Sequence, residues 1–321
     1  MINENWEDHF IETLYEKYPK RSKLILALMD LLSIEREAVY RRLRKDVTFS
    51  INEIVKIAYE WNISLDRITG LNLGQIPFFI QPMNYIDPSE QELKVLRQII
   101  QNINLLKDFP ETEFMDICNK LPRKLLAGYK YLNQFYLFKW NYEYGEDKGE
   151  NIPFSQTIIS DEKIKLDEEY YQAIKQVPNS SFVWDRQIFD YLINDILYFH
   201  SIQMISDEDK KLIKNDLSEL LDYMLDVANK GYYPESQHKV NLYISQLNVN
   251  TNYSYTFTPN VNICFIHVFE KFELYSITSD MVENFRTWMQ LKKRTSIQIS
   301  EVDERSRIAF FAKQRQLLDK L

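Results

Sequence analysis

Residues 31–45 read LLSIEREAVYRRLRK. The two leucines close a densely apolar run that begins at Leu24, Ser33-Ile34-Glu35 breaks it, and a helical pattern resumes over Arg36 to Lys45. On a helical wheel Val39 and Leu43 fall together and face a core, while Glu37, Tyr40, Arg41, Arg44 and Lys45 fall on the opposite half. Four basic residues occupy the five positions 41–45 of a chain whose net charge is −8. From Lys20 to Lys45 there are eight basic and three acidic residues, a local +5 that leaves −13 for the remainder. Phosphate attraction at one surface with repulsion elsewhere requires such a segregation.

Short helices extend outward from this segment on both sides. Phe10, Ile11, Leu14 and Tyr18 recur at helical spacing over Trp6 to Tyr18, and Lys20 to Leu32 has the apolar density of an enclosed helix. Ser50-Ile51-Asn52-Glu53 matches a capping box, in which the Ser50 hydroxyl accepts from the Glu53 amide and Glu53 reaches back. Ile51, Ile54, Ala58 and Trp61 then form the expected inner stripe, and Ser64 to Ile68 opens a last short helix stopped near Gly70.

LLSIEREAVYRRLRK followed by TFSINEIVKIAYEWNISLDRITG (48–70) resembles the lambda-repressor-like (Xre/Cro type) helix-turn-helix family over about residues 5–71. The resemblance implies a mainly α chain whose residues 1–72 form a five-helix domain, with Ile34, Val39 and Leu43 in its core and 36–45 as recognition helix. It implies Arg36, Glu37, Tyr40 and Arg41 as base-facing candidates, and Arg42, Arg44, Lys45 and Thr48 as phosphate contacts. Double-stranded DNA, a homodimeric transcriptional regulator and a cytoplasmic location follow as expectations. The chain departs from the family at Ser33, where Gly is frequent, at Glu35, where Ser or Thr usually caps, and at Ile25, where a polar residue is frequent. Two other readings stay open: Glu37 and Arg41 form a surface ion pair, or the domain binds protein, making the chain an adaptor.

Beyond this domain, residues 73–87 contain prolines without periodicity and read as a linker. Residues 88–231 read as a helical domain, with helices over 88–107, 112–142, 162–176, 184–204 and 207–229, the last ended at Gly231. Residues 232–321 read as an α+β part packed on it, with strands at 240–246, 253–258, 261–269 and 272–277 forming a small antiparallel sheet. A helix over 281–292 follows, then a terminal helix over 302–321 with Ile308, Phe311, Leu318 and Leu321 on one side; Ile308, Phe311 and Leu318 read either as a dimer contact or as burial within their own subunit. Asp216, Glu219, Asp222 and Asp226 read as a solvated acidic face, and Phe135 to Tyr142 as core packing, a ligand pocket or an oligomer surface. The region 88–321 is expected to sense an effector or to join two subunits.

At 321 residues, 45% of them hydrophobic, the chain is long enough for two or three cores. No apolar run approaches the roughly 20 residues of a membrane span, and the N-terminus lacks the pattern of a secretory signal. Cys118 and Cys264 suggest buried small side chains rather than a disulfide framework. Six glycines make neither GxGxxG nor GxxxxGK[ST], so a common phosphate loop is absent. His9, His200, His238 and His267 are scattered without ligand spacing. The sequence therefore implies no metal, no cofactor and no enzymatic role.

Overall fold

Short-range rules account for the first five helices. The computed structural model describes residues 6–61, 63–68, 78–80, 88–145, 152–268 and 272–321. The chain divides into two units, Met1–Pro77 and Phe78–Leu321. In the first, α1 (Trp6–Lys17), α2 (Arg21–Leu32), α3 (Arg36–Leu43), α4 (Ile51–Trp61) and α5 (Leu65–Ile68) follow in order. Helix α2 stops where Ser33 turns left-handed at φ 55°, a conformation that costs an ordinary side chain more than glycine. Glu35 precedes α3 without a side-chain cap. The α4 capping box forms as expected: the Glu53 amide donates to Ser50 Oγ at 3.3 Å, and the Ser50 amide to Glu53 Oε2 at 2.8 Å.

Phe10, Leu14, Leu24, Leu28, Val39 and Ile57 are fully enclosed in this unit, each burial contributing about 1.5–3 kcal/mol. Phe49 meets Phe10 edge-on at 5.4 Å, and Trp61 packs on Tyr18 at 4.8 Å. Ile25 is buried and Ile34 is half-buried against the same core. The α4 stripe differs from expectation. Its inner face runs through Ile54, Ile57, Ala58 and Trp61, while Ile51 is 78% exposed on the side of the helix that also carries Val55 and Tyr59. Gly70 and nearly all of the expected linker, 73–77 and 81–87, lie outside the described residues.

The second unit contains β1 (Phe79–Ile80), α6 (Glu90–Leu105), β2 (Glu113–Cys118), α7 (Arg123–Leu126), α8 (Lys130–Tyr144), α9 (Asp161–Ile174), β3 (Asn179–Trp184), α10 (Asp190–Ser201) and α11 (Asp207–Lys230). It continues with β4 (Lys239–Ser245), β5 (Tyr253–Phe257), β6 (Asn262–Val268), β7 (Phe272–Ser276), α12 (Ser279–Arg294), β8 (Ser296–Gln298) and α13 (Glu304–Leu318). The strands form one eight-stranded sheet in the order β1-β7-β6-β5-β2-β3-β4-β8. Strands β2, β3 and β4 pair in parallel, with Asp116 opposite Phe182 and Phe182 opposite Leu242; the other pairings are antiparallel.

This corrects the expected small antiparallel sheet. The four anticipated strands are present as β4 to β7, but β2 lies inside the stretch read as helix 112–142, and β3 precedes a shortened α10. Both are buried almost throughout, so they lack the alternation that marks a half-exposed strand. The sheet joins residues from the segment read as purely helical to those of the α+β segment.

Alternation within the strands separates two layers. Phe114, Phe182, Trp184 and Leu242 face α8, α10, α11 and α13 in the larger core. Met115, Ile117, Val183 and Tyr255 face α12 through Val282, Phe285 and Met289. Phe135 and Phe138 lie in the larger core, with Phe138 4.9 Å from Phe199. Helix α11 starts with a capping box at Ser206 and ends at Gly231, whose φ is +74°. Packing decides two surface features. Phe311 and Leu318 are buried within their own chain, while Ile308 is 58% exposed. Asp216 is half-buried rather than fully solvated, because it accepts from the amides of Tyr131 at 2.6 Å and Leu132 at 3.2 Å, capping α8. No helix among the described residues is long and apolar enough to cross a membrane.

Candidate nucleic-acid interface

Helix α3 is short, and its two inward residues, Val39 and Leu43, fix which side chains point out. Arg36, Glu37, Arg41, Arg44, Lys45 and Thr48 are exposed, and Tyr40 and Arg42 are half-buried. The eight sequence-derived candidates thus share one short segment, but their electrostatic surroundings divide them.

Arg42 turns back onto α4. Its Nε donates to Glu53 Oε2 at 3.1 Å, one terminal nitrogen to Glu53 Oε1 at 2.8 Å, and the other to the Ala38 carbonyl at 3.2 Å. Less than a fifth of either side chain of this pair is exposed. Burial pushes the Glu53 carboxyl up, but hydrogen bonds from Arg42 and the Ser50 amide outweigh it, so its pKa lies below the ordinary 4.5. Arg42 is therefore placed as a tie between α3 and α4.

Arg44 donates to Glu37 Oε1 and to Asp46 Oδ2, each at 3.1 Å, in pairs at least half exposed. Glu37 consequently pairs with Arg44, seven residues on, rather than with Arg41. Lys45, at φ 63°, pairs with Asp8 of α1. Among the described residues, no carboxylate pairs with Arg36 or Arg41.

Tyr40 is the focus of a second arrangement. The guanidinium of Arg36 lies 5.7 Å from its ring centroid and that of Arg21 lies 5.6 Å away, both within cation–π range. Arg21 opens α2 and is exposed beside Lys20 and Lys23. Sequence reasoning did not single out Arg21, because no period links positions 21 and 40; only the crossing of α2 and α3 brings them together. No carboxylate among the described residues pairs with Arg21 either. Three guanidiniums are thus left without carboxylates among the described residues, those of Arg21 and Arg36 beside Tyr40 and that of Arg41 in the last turn of α3, while Arg42, Arg44 and Lys45 are each held by acids.

The remaining chemistry is sparse. Both cysteines are free and buried, with burial pushing the thiols up. Among the described residues no group of three or more His, Cys, Asp or Glu is placed to hold a metal ion. Comparison of the chain with protein-family profiles, with curated proteins and with solved structures gives no match.

Proposed function

We propose that the chain is a DNA-binding transcriptional regulator of the lambda-repressor-like helix-turn-helix kind, with α2, the Ser33 turn and α3 as the motif. Helix α3 enters the major groove, its N-terminal half toward the bases. The observation that carries this reading is the set of exposed guanidiniums on Arg21, Arg36 and Arg41 without carboxylate partners among the described residues, the first two beside the Tyr40 ring. Arg36 and Arg41 are suited to guanine O6 and N7, and Glu37 reaches a cytosine amine only by releasing Arg44. Arg44, Lys45 and Thr48 meet phosphates; the Glu53 pairing speaks against that role for Arg42.

One recognition helix seldom supplies enough specificity alone, so a homodimer on a two-fold site follows. We assign residues 88–321 to effector sensing or dimerisation rather than to catalysis, and place the protein with DNA in the cytoplasm. Full-length protein is expected to bind mixed-sequence duplex DNA at low salt, with affinity falling as salt rises. Undetectable binding at low salt refutes the proposal.

One observation favours an adaptor instead. Ile51, Val55 and Tyr59 are 78%, 50% and 84% exposed at i, i+4 and i+8 on α4, an apolar stripe suited to a protein partner. Intact DNA binding by an Ile51→Asp/Tyr59→Asp variant separates that stripe from the DNA-binding role.

A further inference from the structure

Arg36 and Tyr40 stand one turn apart on one face of α3, and Arg21 is the first residue of α2. The packing of α2 on α3 brings both guanidiniums to the Tyr40 ring, that of Arg21 at 5.6 Å and that of Arg36 at 5.7 Å from its centroid. Both arginines are exposed, whereas Tyr40 is half-buried and packs against the core of its unit. The ring is thus anchored, and its two cationic neighbours lie at the surface.

An aromatic ring attracts a cation through its quadrupole without cancelling the charge. A carboxylate does cancel it, as Glu53 does for Arg42 and Asp8 for Lys45. Two guanidiniums close to one ring also repel each other, and each arginine stem is rich in rotamers. Without the ring both side chains would spread into solvent, and binding would have to order them again. Ordering one such side chain weakens an association by about threefold to tenfold.

We propose that Tyr40 is a positioning residue: its ring holds Arg36 toward a base edge and Arg21 toward a backbone phosphate, and it makes no base contact of its own. Arg21 takes the phosphate because it stands on α2 rather than on the helix that enters the groove. This rests on the DNA-binding reading above. It departs from the sequence expectation that Tyr40 itself faces a base, and it adds a contact from α2.

The probes are a labelled duplex selected by the parent full chain from a randomised pool, and its single-base variants, read by fluorescence anisotropy over a salt series. Tyr40→Leu is expected to weaken binding about tenfold or more at every salt concentration, with the salt slope unchanged because no charge is lost. It should also relax preference at the same base pair as Arg36→Ala. Arg21→Ala should instead lower the slope by about 0.9. Tyr40→Phe, which keeps the ring, should bind within about twofold of the parent. In an Arg21→Ala/Arg36→Ala background Tyr40→Leu should cost nothing further, whereas a loss of folding or of a direct contact would persist there. Equal losses in Tyr40→Phe and Tyr40→Leu, a Tyr40→Leu loss that persists without the two arginines, unaltered binding by Tyr40→Leu, or no base preference in the parent each overturns the proposal while the parent still binds DNA. A parent chain that binds no duplex at low salt refutes the DNA-binding reading, and this role with it.

Discussion

The division of the basic residues around α3 makes a quantitative prediction about salt. Arg44 and Arg42 are two residues apart and were equivalent as phosphate contacts in the sequence, yet their surroundings differ. Arg44 is about half exposed, and its pairs with Glu37 and Asp46 are exposed to a similar degree or more; such pairs contribute about 0.2–1 kcal/mol each. A charge-assisted contact contributes about 1.5–3 kcal/mol, so a phosphate displaces them. Arg42 is less than a fifth exposed, and moving it leaves the Glu53 carboxylate without its bidentate partner. That loss matches or exceeds what one phosphate returns.

Fluorescence anisotropy on a labelled duplex, repeated over a salt series, reads the difference. Arg44→Ala should lower the slope of log affinity against log salt by about 0.9, so a fourfold salt increase shrinks its deficit about 3.5-fold. Arg42→Met should leave the slope unchanged. Arg41→Ala should instead lower affinity by about 1–3 kcal/mol and relax preference at one base pair. A slope loss in folded Arg42→Met equal to that of Arg44→Ala refutes this division of roles.

The Arg42–Glu53 tie should appear as a coupling of about 1.5–3 kcal/mol in a double-mutant cycle of Arg42→Met and Glu53→Gln, read from hydrogen exchange of the α3 and α4 amides. Because the folded Glu53 pKa is depressed, the coupling is present above its ordinary 4.5 and fades as pH falls through the lowered value; a pH-independent or absent coupling counts against the tie. In the second unit, burial and the Arg123 charge outweigh Asp167 and lower the fully enclosed Lys163 from 10.5 to about 8. Between those values the unfolded chain binds the extra proton, so stability rises with pH across about 8 to 10.5. Urea unfolding should show that rise diminished in Lys163→Met relative to the parent, and identical profiles remove Lys163 as its source.

Features decided within about four residues were legible in the sequence. The five helices of the first unit, the Ser50–Glu53 box, the Gly231 stop and strands β4 to β7 all follow from caps, turn residues and short periods. The inward placing of Val39 and Leu43, and hence the outward set on α3, follows from the same rules. Tertiary structure alone decided the rest. Strands β2 and β3 are buried on both faces, so neither shows the polar–apolar alternation by which a half-exposed strand is read, and the β2 stretch reads as helix. The pairing of Arg42 with Glu53 and the meeting of Arg21 with Tyr40 join residues 11 and 19 positions apart. No local propensity encodes such contacts, because a side chain's partner is set by where packing brings distant elements, and the function of its charge is set there too.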